Sequence, residues 1–186
     1  MTIAAVSPSW GVHLPTAVET RVRTHTWVDP GAPWPSSRAV AALQGAGAVR
    51  SGPPRSAGSG RGLPLVAAQS LRWAGVDLEV ECLVAGRGVV ESNLVAPPWD
   101  ELVIAEATEE AWWELVDGFL AAVDARCGAV VDGEAVDLEV PSPATLRTWL
   151  RRHVGILVDE ELACVAGSDA CIYRRLEASG LVVLLR

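Results

Sequence analysis

Residues 76–84 read VDLEVECLV, and apolar and charged side chains alternate along them up to Cys82. Val76, Leu78, Val80, Cys82 and Val84 fall on one side; Asp77, Glu79 and Glu81 fall on the other. A period of two fits an extended strand, because a helix would scatter the five apolar residues around its axis. A strand with one apolar side needs a sheet around it and a layer packed on that side. The turn residues Gly86–Gly88 lead into a second strand at about 89–95, so the pair reads as a hairpin. The pentapeptide VDLEV returns at 136–140, inside an expected strand over 135–140 that follows a turn at Asp132–Gly133. Its flanks differ from those of the first copy, so it marks a second acidic-faced strand and not a repeat domain.

The rest of the chain supplies the elements that such a sheet needs. Residues 17–28 alternate as a strand, with Val18, Thr20, Val22, Thr24 and Thr26 opposite Glu19, Arg21, Arg23 and His25. Ser36 or Ser37 is placed to cap a short helix reaching about Gln44. The stretch 45–63, rich in Gly, Ser, Pro and Arg, reads as a mobile loop inside the domain. Its arginines (Arg50, Arg55 and Arg61) are then a solvated linker's charges, with contact to an acidic group as the alternative. A third short strand is expected at Glu101–Glu106. Thr108 should cap a helix over 109–126 that Gly128 stops, with Trp112, Leu115, Val116, Phe119 and Val123 inward and Glu110, Glu114, Asp117 and Asp124 outward. Further strands are expected at 129–132, 154–158 and 181–185, and helices at 144–152, capped by Ser142, and at 169–178. Hairpins interleaved with helices, without a run of βαβ units, give an α+β fold. The expectation is a single domain over 1–186, with a mixed or antiparallel sheet and two to four helices packed on it.

Composition limits the partners. Half of the 186 residues are hydrophobic and a fifth are charged, enough apolar surface for a core, and the formal net charge is −8. Such a chain repels phosphate backbones and anionic membranes and speeds encounter with a basic protein, so neither nucleic acid nor membrane is expected as a partner. All 15 basic residues are arginine, and Asn93 is the only asparagine. Scarcity of residues with AT-rich codons points to a GC-rich bacterial genome, so no arginine-specific role is read from the bias. Residues 1–15 lack the pattern of a signal peptide and no segment is long and apolar enough to span a bilayer, so the expected compartment is the cytoplasm, with reduced cysteines.

Motifs for catalysis are missing. Cys164 and Cys171 have no histidine nearby in sequence, Cys82 and Cys127 stand alone, and no CxxC or HExxH occurs. All four thiols read as buried and inert. There is no G-x-S-x-G turn, and GSGRG at 58–62 lacks the ending of a phosphate loop. His13, His25 and His153 read as surface or capping residues. No cofactor and no metal are expected. What stands out is the carboxylates: Asp77, Glu79 and Glu81 on one strand, Asp137 and Glu139 on another, and Glu110, Glu114 and Asp117 on the helix. They read as a solvated face, a partner-binding face or a catalytic carboxylate group. Trp34 and Trp99, in or near loops, read equally as core or as interface anchors; Trp112 reads as core.

Three stretches resemble the immunity protein 52 family of bacterial polymorphic-toxin systems. They are WVDPGAPWP (27–35) with the helix after it, GVDLEV (75–80) leading through ESNLVAPP (91–98), and VGILV (154–158) followed by LEASGLVVLL (176–185). The chain departs from that pattern in a shorter first half and in carrying VGILV where an aromatic-rich strand is usual. The resemblance implies a cytoplasmic inhibitor that neutralises a cognate toxin by direct binding, predicted nucleases being among the toxins. The residues fit this independently, since a nuclease presents a basic surface that an acidic inhibitor can occupy. The expected function is therefore an acidic protein-binding module that is not an enzyme. The alternatives are a carboxylate-based metal-dependent enzyme using Asp77, Glu79 and Glu81, and a structural docking subunit of a larger bacterial assembly.

Overall fold

The N-terminal strand β1 (Thr20–Trp27) lies in the middle of the sheet, between two parts of the chain that follow it much later. It pairs antiparallel with β6 (Val89–Ala96) along its whole length, Thr20 opposite Ala96 and Trp27 opposite Val89. On its other edge it pairs antiparallel with β7 (Cys127–Asp132). The computed structural model describes residues 20–27, 35–60, 63–86, 89–98, 102, 108–132, 142–153, 155–166 and 171–185. Within them ten strands form one sheet in the order β2-β4-β5-β6-β1-β7-β8-β10-β9, with β3 also on the outer edge of β4. The pairings are antiparallel, so the α+β class and the sheet type are those expected from the sequence.

On one side of β1 lies a meander. β4 (Leu63–Trp73) and β5 (Val76–Gly86) are joined by Ala74 and Gly75, both at positive φ (49° and 84°), the two-residue turn whose twist suits a hairpin. β5 then pairs with β6, as the alternation at 76–84 requires. β2 (Val49–Arg50) and β3 (Arg55–Gly60) lie in the stretch expected to be a loop. They run end to end along β4: Arg50 pairs with Leu71 and Arg55 with Ala68, leaving residues 51–54 opposite only two residues of β4. Pro53 and Pro54 have no N–H to pair, so the ladder breaks there. The buried Gln69 pins the break, its Nε2 donating to the carbonyls of Gly52 (2.8 Å) and Ser70 (2.9 Å). Composition hid these strands because a ladder uses backbone groups that Gly and Ser carry as well as Val does.

Beyond β7 come β8 (Gly155–Asp159), β10 (Leu181–Leu185) and the edge strand β9 (Cys171–Arg175). A strand replaces the helix expected over 169–178, since pairing with β10 satisfies a sheet edge that a helix would leave open. Among the described residues four helices cover the sheet: α1 (Pro35–Gly45), α2 (Glu109–Ala122), α3 (Leu146–Arg152) and α4 (Glu160–Ala166). α1 starts at Pro35, so Ser36 and Ser37 fall inside its first turn instead of capping it. α2 is capped by Thr108, whose Oγ1 accepts from the Ala111 N–H at 3.1 Å. It ends earlier than expected, at Asp124 in the left-handed region (φ 53°), where the Ala125 N–H bonds back to the Leu120 carbonyl. Leu102, described alone from the stretch expected as a third strand, is helical and buried. Ser142 caps the turn before α3 by accepting from the Thr145 N–H.

The helices divide between the two faces. On the front face, α1 and α2 press Leu43, Trp112, Leu115 and Phe119 against Val22, Leu71, Val80 and Leu94. On the back face, a smaller core joins Leu146, Trp149 and Leu150 of α3 to Ala129, Ile156 and Val182. That back-face core sits at the β7–β8–β10 end; the back of β4, β5, β6 and β1 carries charge instead.

Gly128 sits in β7 and does not stop the helix. A Cβ there would come 2.5 Å from the Arg23 carbonyl oxygen and 3.0 Å from Leu157 Cδ1. Gly128→Ala should lower stability by about 1–3 kcal/mol through overpacking. Gly118→Ala, inside α2 with open space around it, should raise it by roughly 0.5–1 kcal/mol. Urea unfolding midpoints of the two variants check both signs.

Candidate functional site

On the back face the strand register sets charged rows side by side. Arg23 of β1 lies opposite Asn93 of β6, and Asn93 lies opposite Glu81 of β5. Period-two alternation brings Arg21, Glu79 and Glu91 onto the same face. The side chains link in one chain. Arg23 forks onto Glu91, Nε to Oε1 at 3.1 Å and Nη2 to Oε2 at 2.8 Å. Asn93 Nδ2 donates to Glu91 Oε1 at 3.0 Å and to Glu81 Oε2 at 3.4 Å. Arg21 Nη1 reaches the same Glu81 Oε2 at 3.0 Å. Arg21 and Arg23 are 5% exposed, Glu91 2% and Asn93 0%, so the polar side of β1 is buried at these arginines. Two guanidiniums answer two carboxylates, and only that balance makes such burial tolerable.

Toward the β4–β5 turn the charged face opens into a groove of about 880 Å³. Asp77 and Glu79 line it, with Ser70 and Arg72 of β4 beside them. Val49, Ser51 and Gly52 form one wall and Val95, Pro97 and Pro98 the other. Its width follows from the proline break at 51–54 and from small side chains beside Glu79. The carboxylates here are not free. Arg72 forks onto Asp77 (3.1 and 3.3 Å), and Arg55 forms an ion pair with Glu79. With Arg21 on Glu81, each acidic residue of this strand has a guanidinium against it, which opposes a metal cation by like charge. No group of three His, Cys, Asp or Glu residues that could hold a metal occurs among the described residues.

The helical carboxylates lie elsewhere. α2 packs on the front face, so Glu110, Glu114 and Asp117 are across the sheet from Asp77, Glu79 and Glu81. Glu109 accepts from the Tyr173 hydroxyl, and Tyr173 packs on Trp113 with ring centroids 6.2 Å apart. Arg174 Nη2 meets Glu110 at 2.9 Å; this hydrogen bond, and then the guanidinium's charge, holds the Glu110 carboxyl below the usual range. Asp117 accepts from the N–H groups of Ala178 and Ser179 and from the Ser179 hydroxyl, which ties the turn before β10 to the helix. Glu114 and Glu177 are exposed, with no ion pair among the described residues. Around them stand Glu110, Asp117 and Arg174, so this surface keeps a negative excess.

Asp137, Glu139, Trp34 and Trp99 lie outside the described residues, as does His13. Trp112 is in the core, tilted against Trp73 at 6.3 Å. His153 stacks edge-on to Trp149. The cysteines divide, against the expectation that all are buried: Cys82 and Cys127 are, while Cys164 on short α4 and Cys171 on the edge strand are exposed. Burial pushes the Cys82 thiol up, partly offset by hydrogen bonds with Ser92 and Ser36. Arg21, Arg23, Glu91 and Asn93 form a buried polar chain and were not among the candidate site residues read from the sequence. The one trace of them there is the R-x-R of β1 and the E-x-N of β6, which gain meaning only once the two strands are paired.

No family model matches the chain, that of immunity protein 52 included, and no curated protein matches it. Among solved structures the chain is similar to one described as Pseudomonas aeruginosa T6SS protein PA0821, with a TM-score of 0.44 and 11% sequence identity. The likeness covers 90% of this chain, which spans 66% of that neighbour. At that TM-score and identity it says nothing about activity or partner.

Removing one partner of the Arg23–Glu91 pair should be severe. Arg23→Met is expected to cost about 3–5 kcal/mol, and Arg23→Met with Glu91→Met to recover much of it. A double-mutant cycle in urea checks this; additive losses would show the pair uncoupled. In thiol titration with a disulfide reagent, Cys164 and Cys171 should react in the folded chain, and Cys82 and Cys127 only after unfolding.

Proposed function

We propose that this chain is a protein-binding module and not a catalyst, in its most concrete form an immunity protein that neutralises a toxin with a basic surface, such as a nuclease, by occupying that surface in the cytoplasm. One observation carries the reading: the negative excess on the outer face of α2 and the turn before β10, where Glu114 and Glu177 stand exposed with no ion pair among the described residues. The position matters as much as the charge. Strand carboxylates that looked free from the sequence are answered by arginines, whereas the α2 surface is rigidly built, with Asp117 fixing the turn beside it. Fixed surface charge of one sign steers a basic protein into encounter and repels nucleic acid and anionic lipid. No helix among the described residues is long and apolar enough to cross a membrane.

The test starts from the product of the neighbouring gene, co-purified with this chain and measured over a range of salt. Affinity should fall as salt rises, and Glu114→Arg with Glu177→Arg should slow association about tenfold or more. An association rate indifferent to both salt and charge reversal would remove the proposal's basis.

A further inference from the structure

The acidic face on which the binder reading rests is assembled from two segments that are distant in sequence: Glu114 belongs to α2 and Glu177 to the turn before β10. The β9 strand and this turn are fastened to α2 at two places. Tyr173 and Arg174 meet Glu109 and Glu110 in the first turn of the helix. Farther along, Asp117 Oδ2 accepts from the Ala178 N–H at 2.9 Å, and its Oδ1 accepts from the Ser179 N–H at 2.9 Å and the Ser179 hydroxyl at 2.7 Å. Two successive N–H groups closing on one carboxylate make an anion nest, and here the anion comes from the chain itself. Leu176 and Leu181 bury the two ends of the turn in the front core. Its own backbone bonds, Leu176 N–H to the Leu181 carbonyl and Gly180 N–H to the Leu176 carbonyl, do not touch α2. The crest, Glu177 to Ser179, is exposed or half-buried, and among the described residues no hydrogen bond but those of Asp117 joins it to the helix. Asp117 follows Glu114 by one helical turn, so the crest is held beside Glu114.

We propose that Asp117 is the positioning residue of this acidic face: its carboxylate is committed inside the chain, and it fixes Glu177 relative to Glu114 so that a basic partner is met by two carboxylates at a set spacing. Steering during approach reads the summed charge and tolerates a loose crest. The docked complex does not, because a wandering Glu177 must be ordered when it binds. Loss of the nest therefore acts on dissociation, whereas loss of charge acts on association.

The test uses the full chain and the product of the neighbouring gene, with rates of association and dissociation measured separately. The charge control is Asp124→Asn, at the other end of the same helix, where φ is 53° and Asn is as much at ease as Asp. Both Asp117→Asn and Asp124→Asn should slow association to a similar extent. Only Asp117→Asn should speed dissociation, by up to about tenfold. Ser179→Ala, which changes no charge, should speed it less and leave association alone. In a Glu177→Gln chain, Asp117→Asn should add nothing to dissociation, because the residue it positions is gone. Amide exchange in the free Asp117→Asn chain should quicken about tenfold at Ala178 and Ser179 and stay at the parent's rate from Leu115 to Phe119, which shows the helix intact. Dissociation no faster in Asp117→Asn than in Asp124→Asn, or quickened equally with and without Glu177, overturns the positioning role; the binder reading then stands if association still falls with salt. Association indifferent to salt overturns the binder reading, and the positioning role with it.

Discussion

The structure depends on β1 being closed on both edges. The strand carries Arg21 and Arg23 into a place where water hardly reaches them, and an arginine there is stable only if carboxylates meet it. Those carboxylates come from β5 and β6, and the apolar residues flanking β1 on the back face come from β7. Neither half of the sheet completes the site alone. Val22, on the other side of the same strand, ties β1 to α1 and α2 through the front core. One short segment thus couples the polar layer to both halves of the sheet.

How much of this could be read in advance depended on where the information lay. The β5 alternation and the inward stripe of α2 are local patterns, and Val80, Leu115 and Phe119 lie where those patterns put them. Thr108 caps α2 because capping involves only a few neighbouring residues. Errors came where pairing partners decide. Cys171–Arg175 is a strand because β10 offers it an edge, and Arg55–Gly60 is a strand because β4 does. The charge on β1 could not be placed from the sequence for the same reason. A row of Arg and His looks solvated until Glu81, Glu91 and Asn93 are known to lie across from it. As for the candidate site, the sequence named Asp77, Glu79 and Glu81 but could not reveal their arginine partners, all of which are distant in sequence except Arg72.

That pairing changes what net charge means for this chain. An excess of carboxylates need not appear as one acidic surface. Here part of it is consumed on the back face, by guanidiniums that neutralise β5, while part survives on the front at Glu114 and Glu177. The two regions lie across the sheet from each other, so a partner engaging both must reach around an edge.

The break at Pro53–Pro54 has a further consequence, for self-association. A sheet of this width offers two rims on which copies could stack. One rim is interrupted after two residues of pairing and resumes as glycine-rich β3; the other, β9, is five residues long and bulged against β10. Growth into a filament requires both rims to accept a neighbour, because each added copy must present a fresh edge. Both rims are thus short or broken, features that discourage edge-to-edge stacking of copies into a fibre.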